Sequence, residues 1–449
     1  MDSEFQFPDL SLSHVFTPPD LPNMEIYPRK VSIVEDEKSF NQLIILGNGF
    51  DLACGLKSTY RDFFDYILYK KESENNYWYF VFQSLDSRNR LNNNWTDIER
   101  QILVELKNIE VLYKKGIFKK GELNVRSKAS DFVDSLSESA EDYSLRVTAL
   151  AAASAIEQHY FKIPSKKELQ IHLIKKIILL EEHFCNYLNE QIEIEQSHID
   201  DYFVNKKDKG QNNYFIKSLI IEYFILTSKI PSIPIEKIIS ILEKIKENDS
   251  FDSFFNQIQG INQLFLDDED DEIELIKNNI LSFNYTESFK DFNIRNIHGA
   301  LSEGNIIFGI DYDRLKVNFE QPPIEFSKSY RILENGRSTS MNISSDINII
   351  KFYGHGLGEA DYSYFQAIFD SVDLYHSNTK IVFYWSDYQG VEKQAIRVEQ
   401  VKNVTKLIEE YGTTFTNEDH GRNLLTKLQL ENRLQIEEIP IEELLQYVN

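Results

Sequence analysis

At 449 residues, with 42% hydrophobic and 27% charged side chains, the chain has globular composition and room for one large domain with an insertion, or for two or three ordinary domains. The 48 Lys and Arg stand against 72 Asp and Glu, a formal charge of −24, so the surface repels a phosphate backbone and general nucleic-acid binding is disfavoured. Two cysteines, Cys54 and Cys185, are too few for a disulfide framework or a Cys-based zinc site and fit a reducing compartment.

In chain order, Met1 to Phe16 is acidic and polar, unlike a secretory leader, and the expected location is cytoplasmic. Residues 1–40 carry Pro8, Pro18, Pro19, Pro22 and Pro28 without sustained periodicity and read as an extended arm. The run Leu43-Ile44-Ile45-Leu46, closed by Gly47-Asn48-Gly49, reads as a buried parallel strand ending in a tight loop. Thr59 with Asp62 three residues on marks a helix start, followed by Tyr60, Phe63, Phe64, Ile67 and Leu68 at helical spacing. Strand, Gly loop and helix open a Rossmann-like α/β core over 41–94.

A mainly helical insertion is expected over 95–275. Leu169, Leu173, Ile177, Phe184 and Leu188 share one face, and two more helices over 215–226 and 238–245 flank Pro231 and Pro234. The apolar stretches Leu173 to Leu180 and Leu219 to Leu226 fall far short of the roughly 20 residues that span a bilayer, so no membrane partner is expected. The acidic run Asp267 to Glu272 lacks the alternating ligands and glycine of a calcium loop and reads first as a solvated segment. Strand signals then return over 280–283, 296–297, 305–310, 347–353 and 380–384, giving the second part of the core over 276–390. The residues from 391 to 449 read as a cap of helices and loops.

Four clusters carry candidate chemistry. Small residues in Gly47-Asn48-Gly49-Phe50-Asp51 let backbone N–H groups approach a pyrophosphate, or simply build a tight turn. An ATPase phosphate loop in Gly49 to Ser58 is disfavoured: five residues rather than four separate Gly49 from Gly55, and Leu56 intrudes before Lys57. Asn284, followed by Tyr285 and Thr286 at a strand end, is placed to orient a ribose hydroxyl or a water. His298, followed by Gly299, is placed to accept a proton near neutral pH; a turn cap and a strand-end histidine are the structural alternatives. Gly354, His355 and Gly356 begin a second open loop, from which Asp361 either holds a ribose diol or caps the next helix. Trp95-Thr96-Asp97-Ile98-Glu99 either projects a carboxylate into the cleft or caps and packs a helix. No metal site is predicted.

Together these residues resemble the AbiH family of bacterial abortive-infection proteins. The resemblance runs from Gly47 to Ala53 through Trp95 to Glu99, Phe283-Asn284-Tyr285-Thr286 and Ile297-His298-Gly299 to Gly354 through Asp361, most of residues 40 to 370. The order of these motifs is also similar to the SIR2-like fold of sirtuins and phage-defence NAD hydrolases. That likeness implies a mostly parallel sheet flanked by helices, with NAD as substrate or ligand. It implies that Gly47 and Gly49 face the pyrophosphate, that Asn284 faces the nicotinamide ribose or the attacking water, that His298 is the general base and that Gly354 to Gly358 approach the adenosine half. The sequence departs from it in a Gly-Asn-Gly loop, in the short Asn284-to-His298 interval and in having no four-Cys zinc module, which speaks against protein deacylation.

The resemblance therefore implies phage defence by NAD hydrolysis at the nicotinamide–ribose bond. A nucleotide-binding regulatory or phage-sensing component without turnover stays open, as does a metal-dependent nuclease or phosphotransferase using Glu99, Asp361 and the acidic run. A phage or host protein as trigger and a homo-oligomeric state stay open too.

Overall fold

The computed structural model describes residues 39–70, 76–86, 98–119, 124–205, 214–227, 275–286, 294–335, 343, 345–387 and 392–445. Residues 1–38 of the expected arm, Trp95 to Asp97, the expected helix over 238–245 and the acidic run Asp267 to Glu272 lie outside the described residues. Ser39–Asn449 form one compact unit.

The elements in order are β1 (Ser39–Leu46), α1 (Gly49–Cys54), α2 (Tyr60–Lys70), α3 (Tyr77–Asp86), α4 (Ile98–Lys114), α5 (Val125–Asp134), α6 (Ala140–His159), α7 (Lys166–Asn205) and α8 (Tyr214–Thr227). There follow β2 (Leu275–Ser282), β3 (Ile294–Asn296), α9 (Tyr312–Asn318), α10 (Lys328–Glu334), β4 (Ile349–Tyr353), α11 (Tyr362–Ser371), β5 (Lys380–Trp385), α12 (Lys393–Gly412), α13 (Glu418–Leu430), β6 (Leu434–Glu438) and α14 (Ile441–Leu445).

All six strands are parallel, in the order β3-β2-β1-β4-β5-β6, which is the doubly wound order of dinucleotide-binding sheets. The expected α/β class, with a mostly parallel sheet and a helical insertion, is therefore correct. The second half of β1, Leu43 to Leu46, reads as unbroken apolar sequence because both of its faces are covered. Leu43 and Ile45 pack with Ile350, Phe352, Ile381 and Phe383 under α11, α12 and α13. Ile44 and Leu46 point the other way, with Ile280, Ile349, Val382 and Tyr384, toward Ile221, Phe224 and Ile225 of α8. A third cluster joins α2 through α7 around Phe63, Trp78, Ile102 and Phe184. At the expected helix start, the Asp62 N–H donates to Thr59 Oγ1 at 3.0 Å and the Thr59 N–H returns a bond to Asp62.

Two expectations change. Residues 305–310 form no strand beyond a one-residue parallel bridge of Ile310 to Ser327: Ile306, Phe308 and Ile310 join the helical cluster, and before that bridge the Ile307 N–H donates to His298 O and the Phe308 N–H to Glu181. Apolar burial in a coil reads like a strand. The segment from 391, expected as helices and loops, adds β6 at the sheet edge, where every residue of Leu-Gln-Ile-Glu-Glu is half-buried and the apolar signal is diluted.

Candidate active site

Sheet register builds the site. Asn296, Ser282, Leu46, Tyr353 and Tyr384 lie level across β3, β2, β1, β4 and β5. Two positions beyond each stand His298, Asn284, Asn48, His355 and Ser386, and all five line one cavity of about 550 Å³. The ladder carries on past the strand ends: the Phe283 N–H donates to Leu46 O, the Gly47 N–H to Tyr353 O and the Ile297 N–H to Ser282 O. The cavity thus sits at the carboxyl edge of the sheet, where the strand order reverses between β1 and β4. Open α/β sheets bind their ligands at this switch point.

Of the residues singled out in the sequence, Gly47, Asn48, Gly49, Asn284, Tyr285, His298, Gly354, His355, Gly356 and Asp361 line the cavity. Phe50, Asp51, Thr286 and Gly299 do not. Phe50 is buried in the core beneath the loop, edge-on to Tyr353. The Asp51 carboxyl is buried against the Thr286 hydroxyl, 2.8 Å away, and ties α1 to the loop after β2; burial pushes it up to about 7 although that hydrogen bond opposes the rise. Gly299 takes φ +105°, where a Cβ would fall 2.2 Å from Asn305 O, so it serves the packing of its loop.

The two glycine loops also work differently from the pyrophosphate-facing expectation. A Cβ on Gly47 would fall 2.4 Å from His355 Cα, and one on Gly49 would fall 2.7 Å from Gly354 Cα. Gly354, at φ +69°, would drive its own Cβ to 2.3 Å from Phe50 N. The N–H groups of Gly47, Gly49 and Phe50 donate to Tyr353 O, Gly354 O and Gly47 O. These glycines interlock the first loop with the second, and the three amides are engaged within the protein.

Asn284 is 2% exposed, and neither Oδ1 nor Nδ2 of its side chain has a hydrogen-bond partner among the described residues. Its backbone, by contrast, is fastened: its N–H donates to Ser282 Oγ, and its carbonyl accepts from Asn296 Nδ2 at 2.8 Å. A buried amide without partners costs stability, and this one lies at the cavity wall.

Beside Asn284 lies a charged cluster that sequence reasoning reached only in part. Lys328, at the start of α10 and 3% exposed, places Nζ 2.8 Å from Glu99 Oε1 and 3.1 Å from Asp361 Oδ1. Nothing in its local sequence marks Lys328, because its partners come from elsewhere in the chain. Burial alone would depress its ammonium, but Glu99 and Asp361 outweigh burial and hold it well above the usual lysine range. For Asp361 burial pulls upward, and Lys328, the His355 hydrogen bond and His298 together hold the carboxyl well below its ordinary value. Asp361 sits at the head of α11 but does not cap it with its side chain. Its Oδ2 lies 3.4 Å from His355 Nε2 and its Oδ1 3.8 Å from His298 Nε2. The Leu357 N–H donates to His355 Nδ1 at 2.9 Å, which leaves the ring proton of His355 on Nε2, toward Asp361. The Phe283 ring meets both imidazoles edge-on, at 5.5 and 4.6 Å.

The far wall, absent from the sequence-based site, comes from Trp385 at the end of β5, Ser386 just after it, and Ile396, Glu399, Gln400 and Asn403 of α12. Spacing of four along a helix was the available signal, but any exposed helix face shows it. Among the described residues no group of three or more His, Cys, Asp or Glu is arranged to hold a metal, and no helix is long and apolar enough to cross a membrane.

No curated protein and no solved structure matches the chain. The profile of the family described as Bacteriophage abortive infection AbiH matches residues 43–385, from the start of the apolar run in β1 to the last residue of β5, and every motif that lines the cavity from the first three strand ends falls inside it. The chain belongs to the AbiH family of bacteriophage abortive-infection proteins.

Proposed function

We propose that the switch-point cavity binds an NAD-type dinucleotide and that the protein hydrolyses its nicotinamide–ribose bond, acting in abortive infection by depleting the nucleotide. The observation that carries the reading is the partnerless, buried Asn284 amide in the same cavity as His298. At about 550 Å³ the cavity lies within the roughly 300–1,000 Å³ usual for cofactor-sized ligands.

Cleavage of an N-glycosidic bond passes through an oxocarbenium-like state, which needs a fixed ribose, a guided water and exclusion of bulk solvent. Asn284 supplies one donor pair and one acceptor, with no competing partner among the described residues, to orient the ribose hydroxyl or the water. His298 supplies the base. Phe283, Tyr285 and Trp385 are aromatic walls that keep water out. The glycine interlock holds these strand ends at fixed separation.

The test is nicotinamide release from NAD by the purified chain, with and without phage lysate, and cellular NAD during infection. Release that vanishes in Asn284→Ala and in His298→Ala, both folded by circular dichroism, supports the reading. Saturable NAD binding with no release under triggering conditions would replace it with a nucleotide-responsive regulator.

A further inference from the structure

Asp361 is shared unequally. It accepts from Lys328 Nζ at 3.1 Å and lies 3.4 Å from His355 Nε2, both within hydrogen-bond reach, whereas His298 Nε2 stands at 3.8 Å, at ion-pair but not hydrogen-bond distance. All four side chains are largely withdrawn from solvent, at 15% exposure for Asp361 and 4–7% for the other three. Lys328 and His355 therefore fix both oxygens of the carboxylate while it faces the third partner. Two carboxylates, Glu99 and Asp361, and one ammonium, Lys328, leave the cluster one negative charge in excess when both imidazoles are neutral. In a water-poor pocket such an excess favours one further proton nearby.

We propose that Asp361 is the positioning residue of the site: held by Lys328 and His355, it stabilises His298 as an imidazolium when that ring takes a proton. This rests on the reading of His298 as general base. In the step, an O–H bond of water or of a ribose hydroxyl breaks, the electron pair stays on oxygen and an N–H bond forms on the ring. The new cation then faces Asp361 and neutralises the cluster. Glu99 comes from α4, so the helical layer holds Lys328 and, through it, the carboxylate. The arrangement resembles the role of the aspartate in a Ser-His-Asp triad, where the carboxylate stays ionised throughout.

Around His298 stand Asp361 at 3.8 Å and the Tyr364 and Phe283 rings, with centroids 5.8 and 5.5 Å away; Lys328 and His355 act through Asp361, Glu99 acts through Lys328, and Asp311 acts on the Tyr364 phenol. Asp361→Asn and Lys328→Met each change one of these groups. The experiment is a pH titration of ¹³Cε1-labelled histidine by NMR on the full chain without nucleotide, the His298 signal being assigned by its loss in His298→Gln. Asp361→Asn is expected to lower the His298 pKa by roughly one pH unit or more, and Lys328→Met to raise it by a similar amount. Merely structural roles would move the two together or not at all, and either result overturns the proposal. If Asp361→Asn does not fold, the upward shift in Lys328→Met decides alone: a pKa that stays or falls overturns the assignment. Nicotinamide release is measured in parallel. Opposite pKa shifts without release in any form sink the hydrolase reading and leave Asp361 in its electrostatic place, whereas release with an unmoved His298 does the reverse.

Discussion

Two asparagines twelve positions apart should respond to the same substitution with opposite signs. Asn284 and Leu have the same branching after Cβ, so Asn284→Leu replaces the two partnerless atoms with methyl groups of nearly the same shape. A buried polar group left without a partner costs about 1–3 kcal/mol, and Asn284→Leu should therefore raise the unfolding free energy by about 1–3 kcal/mol. Its backbone bonds to Ser282 and Asn296 are untouched. Asn296 is the reverse case. Its Nδ2 donates to Asn284 O at 2.8 Å and to Thr286 O at 3.1 Å, and Asn296→Leu orphans two carbonyls, for a loss of about 1–3 kcal/mol or more. Equilibrium urea unfolding of nucleotide-free protein measures both. Nicotinamide release should disappear in the more stable variant, the signature of a residue kept for function at the expense of stability. If Asn284→Leu loses more than about 1 kcal/mol, or the two variants shift the same way, the amide is a structural element and the reasoning fails.

Glu181 of α7 and Arg331 of α10 form a two-pronged pair, at 2.6 and 2.8 Å with side chains 5–6% exposed, and the Phe308 N–H also donates to Glu181; Glu181→Ala should cost about 3–5 kcal/mol in the same assay, with most of it regained in the Glu181→Met/Arg331→Met double variant. Gly354→Ala should destabilise by at least about 1–2 kcal/mol through its left-handed backbone and contact with Phe50, while Gly356→Ala, whose Cβ meets nothing within 4 Å, should stay within about 0.5 kcal/mol. Burial raises Asp51 from 3.8 to about 7, so between those values the folded chain holds a proton that the unfolded chain has released. Its contribution falls as pH rises from about 4 to 7, by about 4 kcal/mol in all, and urea midpoints of Asp51→Asn should lack that slope. Lys351, pulled by burial from 10.5 to about 7, works the other way above neutrality: the unfolded chain binds the extra proton there, stability rises from about pH 7 to 10.5, and Lys351→Met should flatten that limb.

The central strands were legible because parallel strands covered on both faces are mostly apolar: Leu43 to Leu46 are apolar throughout, and between Ile349 and Phe352 only Lys351 breaks the run. β6 was not, since an edge strand tolerates Gln435, Glu437 and Glu438. Asn284, His298 and His355 could be found because a polar residue just past an apolar run has few structural reasons to be there. Lys328 could not, for its role depends on Glu99 and Asp361 arriving from distant segments, and no window of sequence holds all three. The glycine loops were located correctly, yet what they approach is each other, which only the register of β1 against β4 reveals.

Of the described strands β1 is the first to leave the ribosome, but the partners on either side of it, β2 and β4, are made only after α2 to α8. Those helices can collapse early around mostly local contacts, whereas closing the sheet must wait for pairings distant along the chain, which are slow to form. The last wall, Trp385 through Asn403, is translated later still. A nascent or truncated polypeptide ending before that wall has no enclosed pocket, so whatever the pocket does is confined to chains that have been made past it.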